Sequence, residues 1–221
     1  MLMSTKVGAR IALPGGARIA LFGGTFDPLH MGHIELIQNV YDELLPDRFI
    51  VIPSGCSYMK ESMGREITPA PHRLKMLEAG FAGLDLPIEI SSVEIGREGP
   101  SYSIDTVKYF ISEMQSGAIL PGDIYFLCGS DVLFGIDKWH RADELLGMII
   151  LTVIPRGTDD ISEIHRRKAY LEEKFAARII ISNFRGRDIS SSYIRDDILG
   201  CGELIPAGTY EYIIKNHLYG L

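Results

Sequence analysis

Cysteine is scarce in this chain: Cys56, Cys128 and Cys201 are the only three in 221 residues. They are far apart and odd in number. They form neither a disulfide framework nor a pair at metal-ligand spacing, so a reducing cytoplasm is the default expectation. No apolar run approaches the roughly 20 residues of a membrane-spanning helix, and the longest, Met148 to Ile154, reads as a buried strand. The first residues lack the apolar stretch of about 7–15 residues that marks a secretory signal. Positive charge is also in deficit, with 22 Lys and Arg against 29 Asp and Glu and a net charge of −7. That balance argues against a protein that binds duplex nucleic acid by neutralising phosphates. It leaves small anionic ligands open, because local sites can be positive on an acidic protein. Low-complexity tracts, linkers and long repeats are missing as well.

What remains is a globular composition, 46% hydrophobic and 23% charged, long enough for one sizeable core. A short duplication opens the chain, GARIALPG over residues 8–15 and GARIALFG over residues 16–23. Only the second copy leads into a motif, so residues 1–15 are set apart as an extension and residues 16–221 as the working domain. Apolar strand candidates fall at Ile19–Phe22, Phe49–Ile52, Ile88–Ile95, Ile124–Cys128, Met148–Ile154 and Ile179–Ile181. Helical spacing separates them, through Ile34, Ile37, Tyr41 and Leu44, through Leu74, Leu77 and Phe81, near Ile104, Val107 and Phe110, and from Ile161 to Phe175. Two more helices are expected at the end, from about Ser191 to Leu199 and through Tyr210, Ile213, Ile214 and His217. Strands alternating with helices imply crossovers, hence one α/β domain with a parallel sheet covered on both faces. Ligands of such sheets sit beyond the carboxyl ends of the strands.

The loop after the first strand reads Gly23-Gly24-Thr25-Phe26-Asp27-Pro28-Leu29-His30-Met31-Gly32-His33. Its glycines let the backbone approach a ligand closely, and Thr25 and Asp27 add a hydroxyl and a carboxylate. His30 and His33 stand three apart at the mouth of a helix whose first amides make a phosphate pocket. A zinc site is disfavoured, since His-x-x-His has no cysteine or carboxylate partner at ligand spacing. A dinucleotide-binding dehydrogenase is disfavoured too, since G-x-G-x-x-G is absent here.

This loop closely resembles the signature of the nucleotidyltransferase superfamily that carries a His-x-Gly-His motif. From about Ala17 onward the chain is similar to the bacterial nicotinate-nucleotide adenylyltransferase family. Three later segments carry that resemblance. Arg97-Glu98-Gly99-Pro100-Ser101-Tyr102-Ser103-Ile104-Asp105-Thr106 resembles the family's strand-to-helix segment, with Ser103 as the expected helix cap. Gly129-Ser130-Asp131, followed by Lys138-Trp139-His140, resembles the segment that meets the nucleotides, and the single tryptophan falls where the family stacks the nicotinate ring. Ile189-Ser190-Ser191-Ser192-Tyr193-Ile194-Arg195 resembles Ile-Ser-Ser-Thr-x-Ile-Arg, with a hydroxyl preserved at Ser192. One departure stands out: Ser57-Tyr58-Met59-Lys60 replaces Pro-Pro-His-Lys, so the lysine corresponds and the histidine does not. His72-Arg73 fits the next helix, either lending positive charge to the site or lying on a solvated face.

The resemblance implies a Rossmann-like doubly wound sheet with a small C-terminal helical part. It also implies adenylyl transfer from ATP to nicotinate mononucleotide in NAD biosynthesis, with release of pyrophosphate. His30, His33 and Arg195 are the expected catalytic residues. Gly23, Gly24, Thr25, Phe26, Gly129, Asp131, Ser191 and Ser192 join them in holding ATP, while Asp27, Lys60, Thr106, Trp139 and His140 are expected to hold the pyridine nucleotide. Magnesium would arrive with ATP, no metal site of the protein's own is expected, and a homo-oligomer is left open. The other readings are a non-catalytic nucleotide-binding or sensing protein, or an adenylyltransferase for nicotinamide mononucleotide or phosphopantetheine.

Overall fold

Six apolar segments become the strands β1 (Ala17–Gly24), β2 (Arg48–Pro53), β3 (Ile88–Ile90), β4 (Gly122–Gly129), β5 (Ile150–Ile154) and β6 (Arg178–Ile181). The computed structural model describes residues 16–55 and 67–221. The N-terminal extension, Cys56 and the Ser57–Lys60 loop, Lys60 included, lie outside these residues. All neighbouring strands pair in parallel, in the order β3-β2-β1-β4-β5-β6. Parallel pairing demands crossovers, and these are α1 (Met31–Leu44), α2 (Ala70–Phe81), α3 (Ser103–Gln115), the short α4 (Ser130–Gly135) with α5 (Ala142–Met148), and α6 (Ile161–Phe175). α7 (Ser191–Asp196) and α8 (Ala207–Lys215) follow the last strand. The chain winds outward from β1 to β3, then returns past its starting strand to β4. Strand order therefore reverses between β1 and β4, and a crevice opens there at their carboxyl ends. This is the Rossmann-like doubly wound sheet expected from the sequence.

Alternation along the strands divides the core. Ile19 and Leu21 of β1 face a layer formed by Ile104 and Val107 of α3, Leu145 of α5 and Ile164 of α6. Ala20 and Phe22 face the opposite layer, with Ile34, Ile37 and Leu44 of α1 and Leu77 of α2. Both faces of the sheet are thus dry, as continuous apolar strands require. A third cluster, Met76, Ile194, Ile198, Cys201, Ile205 and Ile213, fastens α7 and α8 onto α2. That is the expected C-terminal helical part, and it sits beside the crevice.

Several sequence expectations need correction. The strand predicted over Ile88–Ile95 pairs only as far as Ile90; Gly96 N–H then donates to Ser92 O, a turn that carries the chain toward the crevice. Met148 ends a helix instead of opening β5, because an apolar run alone cannot tell a buried strand from a buried helix end. The same ambiguity hid α5 in the sequence. Ser103 is the first residue of α3 and Tyr102 its cap, without a side-chain bond. α7 stops at Asp196 rather than near Leu199, where the Asp197 carboxylate accepts from Gly200 N–H at 2.9 Å and closes a turn.

The α2–α8 crossing is tight. Thr209 Oγ1 donates to Met76 O at 2.7 Å, and a Cβ on Gly208 would lie 2.2 Å from Ala79 O. Because that contact is backbone, Gly208→Ala must separate the two helices. It is expected to cost about 1–3 kcal/mol in urea unfolding, as other overpacked sites do. A loss under about 0.5 kcal/mol, the range of ordinary surface changes, would show that the crossing yields freely.

Candidate active site

The β1 loop folds back on itself before α1 begins. Phe26 takes a left-handed backbone (φ 50°) and drives its ring into the core, edge-on to Phe22 at 5.4 Å and to His33 at 5.0 Å. Gly24 must be glycine for this to happen, since a Cβ there would lie 2.8 Å from the Phe26 ring. His30 then caps α1, its carbonyl accepting from His33 and Ile34 N–H. Its own backbone N–H donates to His33 Nδ1 at 3.2 Å. That bond fixes the neutral tautomer of His33 with its proton on Nε2. The two imidazoles stack at 3.6 Å between centroids, 23° from parallel. A Cβ on Gly32 would press on the His30 ring at 3.1 Å, so the residue just before His33 has to be small. His30 is buried, and burial, reinforced by the positive charge of Arg156, lowers its pKa from 6.5 to about 4. It is therefore a neutral imidazole at physiological pH.

α7 is docked directly onto this loop. Ser190 caps the helix by accepting from Tyr193 N–H, Ser191 Oγ donates to Pro28 O at 3.0 Å, and Arg195 Nη1 donates to Asp27 O. The second terminal nitrogen of Arg195 reaches Ser192 Oγ at 3.4 Å. Across the crevice, Gly129 leads β4 into α4, and the exposed Asp131 carboxylate lies 3.7 Å from Arg156, which also approaches Asp188 at 4.0 Å.

The segments expected at the pyridine end also come together. Tyr102, at the start of α3, stacks on His140 at 4.3 Å, and Trp139 stands edge-on to Phe126 at 6.3 Å. Two expected contacts are turned inward instead. Asp27 is 3% exposed and its carboxylate accepts from Tyr219 and Thr68, while Thr106 is 1% exposed and its hydroxyl donates to Glu94. Both polar groups are used within the protein, so these residues shape the site and do not line it. No group of three or more His, Cys, Asp or Glu is gathered for a metal among the described residues.

With that geometry in view, the relatives are informative. A profile described as cytidylyltransferase-like matches residues 21–197. A Carboxydothermus hydrogenoformans protein named probable nicotinate-nucleotide adenylyltransferase is 32% identical over 217 residues, covering 96% of this chain and 98% of its own. One of the same name from Dehalococcoides mccartyi is 33% identical over 204 residues, covering 88% and 93%. The chain belongs to the nicotinate-nucleotide adenylyltransferase family. In three dimensions it resembles Plasmodium falciparum nicotinic acid mononucleotide adenylyltransferase complexed with NaAD, with a TM-score of 0.73, 21% identity and coverage of 92% and 97%.

Of four further residues beside the β1 loop and α3, His72 and Arg73 are singled out in the sequence, whereas Glu94 and Arg156 are not. Arg73 is 2% exposed and donates to Thr25 O, Ser54 O and Thr68 O, tying together the ends of β1 and β2. It is neither on a solvated face nor open to ligand. Its neighbour His72 pairs with the Tyr212 hydroxyl at 3.0 Å. Glu94 is held above the usual carboxylate range by burial, while its bond to Thr106 and the charge of Arg97 pull the other way. Arg156 follows an apolar strand like any loop arginine, and nothing in its sequence context marks its proximity to His30.

A pH signature follows from His30. The folded state holds its pKa below the unfolded value of 6.5. Between those values the unfolded chain binds the extra proton, so stability is complete above pH 6.5 and falls as pH drops toward 4. The loss from pH 7 to pH 4.5 is expected to exceed that of a His30→Gln variant by about 2–3 kcal/mol. Equal losses in chemical denaturation at the two pH values would show that His30 is not held neutral.

Proposed function

We propose that this chain transfers the adenylyl group of ATP to nicotinate mononucleotide, giving nicotinate adenine dinucleotide and pyrophosphate, within the cytoplasm. The observation that carries the reading is the loop at the sheet's reversal point: two stacked imidazoles and the arginine of α7 meet there in a chain of this family. A phosphate oxygen of the mononucleotide attacks the α-phosphorus of ATP, forming one P–O bond. The bond to the bridging oxygen breaks, and pyrophosphate leaves with the electron pair. The attacking phosphate is already ionised, so no side chain has to become a nucleophile.

What such a reaction needs is alignment of two anions and donors for the charge that develops. His33 offers the Nε2 proton that its Nδ1 bond fixes in place, and we assign it to the α-phosphate oxygen. Neutral His30 backs that ring without adding a titrating charge. Arg195 and the Ser191–Ser192 helix start face the β- and γ-phosphates, where a planar guanidinium fork suits phosphate geometry. Gly23, Gly24, Thr25 and the Phe26 turn bring backbone against ATP, and Gly129 and Asp131 border it from β4. Magnesium would be held by phosphate oxygens and water, supplying charge neutralisation, since the described residues gather no cage for it. Trp139 with His140 would face the pyridine nucleotide; the expected contact from Lys60 lies outside the described residues. The first amides of α3 lack intrahelical acceptors, and the positive end of that helix favours a carboxylate over a carboxamide on the ring.

Pyrophosphate release should require both ATP and nicotinate mononucleotide. His33→Ala should lower kcat by about 10²–10³, the usual cost of a lost transition-state donor, with ATP affinity within several-fold. No release with the pair would overturn the function, and a His33→Ala enzyme with more than half of wild-type kcat would overturn the assignment of His33.

A further inference from the structure

Asp27 sits between the glycines and the histidines of the β1 loop, yet its carboxylate is 4% exposed and faces away from the crevice, into the C-terminal helical part. Three groups hold it. Tyr219 Oη donates to Oδ1 at 2.7 Å, Thr68 N–H donates to Oδ2 at 3.3 Å, and Arg195 Nη1 stands 3.8 Å from Oδ2. The tyrosine reaches this position through an unusual backbone: His217, Tyr219 and Gly220 have φ of 50°, 61° and 84°. Two non-glycine residues in left-handed conformations within four positions persist only where surroundings over-determine them. Here the determinants are the bond to Asp27 and a contact from the same hydroxyl to Met76 Sδ at 3.6 Å. Burial and the adjacent Asp27 charge keep the phenol far above its usual range, so it remains a donor.

We propose that Tyr219 is a positioning residue for the triphosphate clamp, acting on Arg195 through Asp27. The inference rests on the assignment of Arg195 to the β- and γ-phosphates. By occupying Oδ1, the tyrosine leaves only Oδ2 turned toward Arg195, at a separation too long for a hydrogen bond. The guanidinium is thereby oriented without being neutralised, and N–H groups remain for phosphate. Without the hydroxyl, a buried carboxylate oxygen loses its partner; Arg73 nearby is committed to three carbonyls, and Arg195, 3.8 Å from Oδ2, is the guanidinium that can turn to it. The carboxylate then closes onto the guanidinium and competes with ATP for the same protons. Nothing in this chain of contacts touches the pyridine end, so the effect is confined to one substrate.

The test is Tyr219→Phe, which keeps the ring and removes the hydroxyl, assayed for KM of each substrate and for the affinity of a non-hydrolysable ATP analogue by calorimetry. The expected result is a loss of about tenfold in ATP and analogue affinity, on the scale of one hydrogen bond to a charged group, with KM for nicotinate mononucleotide within about twofold. Combined with Arg195→Lys, Tyr219→Phe should add little further loss, because both changes act on one contact. A simple packing role would instead shift both KM values together, or add fully to Arg195→Lys, and either result overturns the proposal. If Tyr219→Phe does not fold, the same change is made together with Asp27→Asn, where no carboxylate remains to close onto Arg195; analogue affinity should then match that of Asp27→Asn alone, and a further loss of about tenfold on adding Tyr219→Phe contradicts the proposal. Calorimetry keeps the two readings separable, since an enzyme that released no pyrophosphate would refute the proposed reaction while analogue binding still judged Tyr219.

Discussion

The buried carboxylate of Asp27 is the point on which the site depends, because four separate parts of the chain converge on it. The β1 loop supplies it, the residues before α2 give it an amide, α7 gives it a guanidinium and the final turn gives it a phenol. A charge withdrawn from water is tolerable only with such partners, and removing any one leaves the others facing an uncompensated ion. Arg73, equally buried, ties the ends of β1 and β2 to the same segment through three carbonyls. The crevice that the strand order opens is therefore lined by a loop whose shape is set from behind.

That rigidity has an electrostatic counterpart in the histidines. Stacking at 3.6 Å leaves no room for two positive rings; burial beside Arg156 keeps His30 neutral, and the bond that His33 Nδ1 accepts leaves its proton on Nε2. In the proposed phosphate site, directional donors would come from His33 and the helix amides, with Arg195 as the formal charge set close against the loop. The protein carries a net charge of −7, so attraction for two anionic nucleotides has to be local, and Arg195 of α7 and Arg156 after β5 stand beside the β1 loop.

The strands and long helices were legible because apolar runs and three- to four-residue spacing are local signals. The errors fell where that signal is degenerate: the apolar run through Met148 spans a helix end and a strand, and Ile88–Ile95 keeps alternating after the chain has turned away from β2, which itself runs on to Pro53. The β1 loop proposed to hold ATP was singled out by resemblance, since GGTFDPLHMGH gathers its glycines, histidines and carboxylate into one stretch. Arg73 was undecidable between ligand and surface, and proved to be neither, because its acceptors are carbonyls from three other segments. Tyr219 left no trace in the sequence: its partner lies 192 residues away, and an aromatic near a helical spacing reads as core. Asp27 was seen, but a carboxylate in a loop looks the same whether it faces a substrate or a tyrosine.

In the proposed reaction two phosphates align for a single direct displacement, with the histidines as donors only. ATP made chiral at the α-phosphorus by one sulfur substitution tests this, with the configuration of the dinucleotide product read after one turnover. A single in-line attack predicts inversion. Retention would mean two successive displacements through an adenylylated side chain, and would contradict the roles given to His30 and His33.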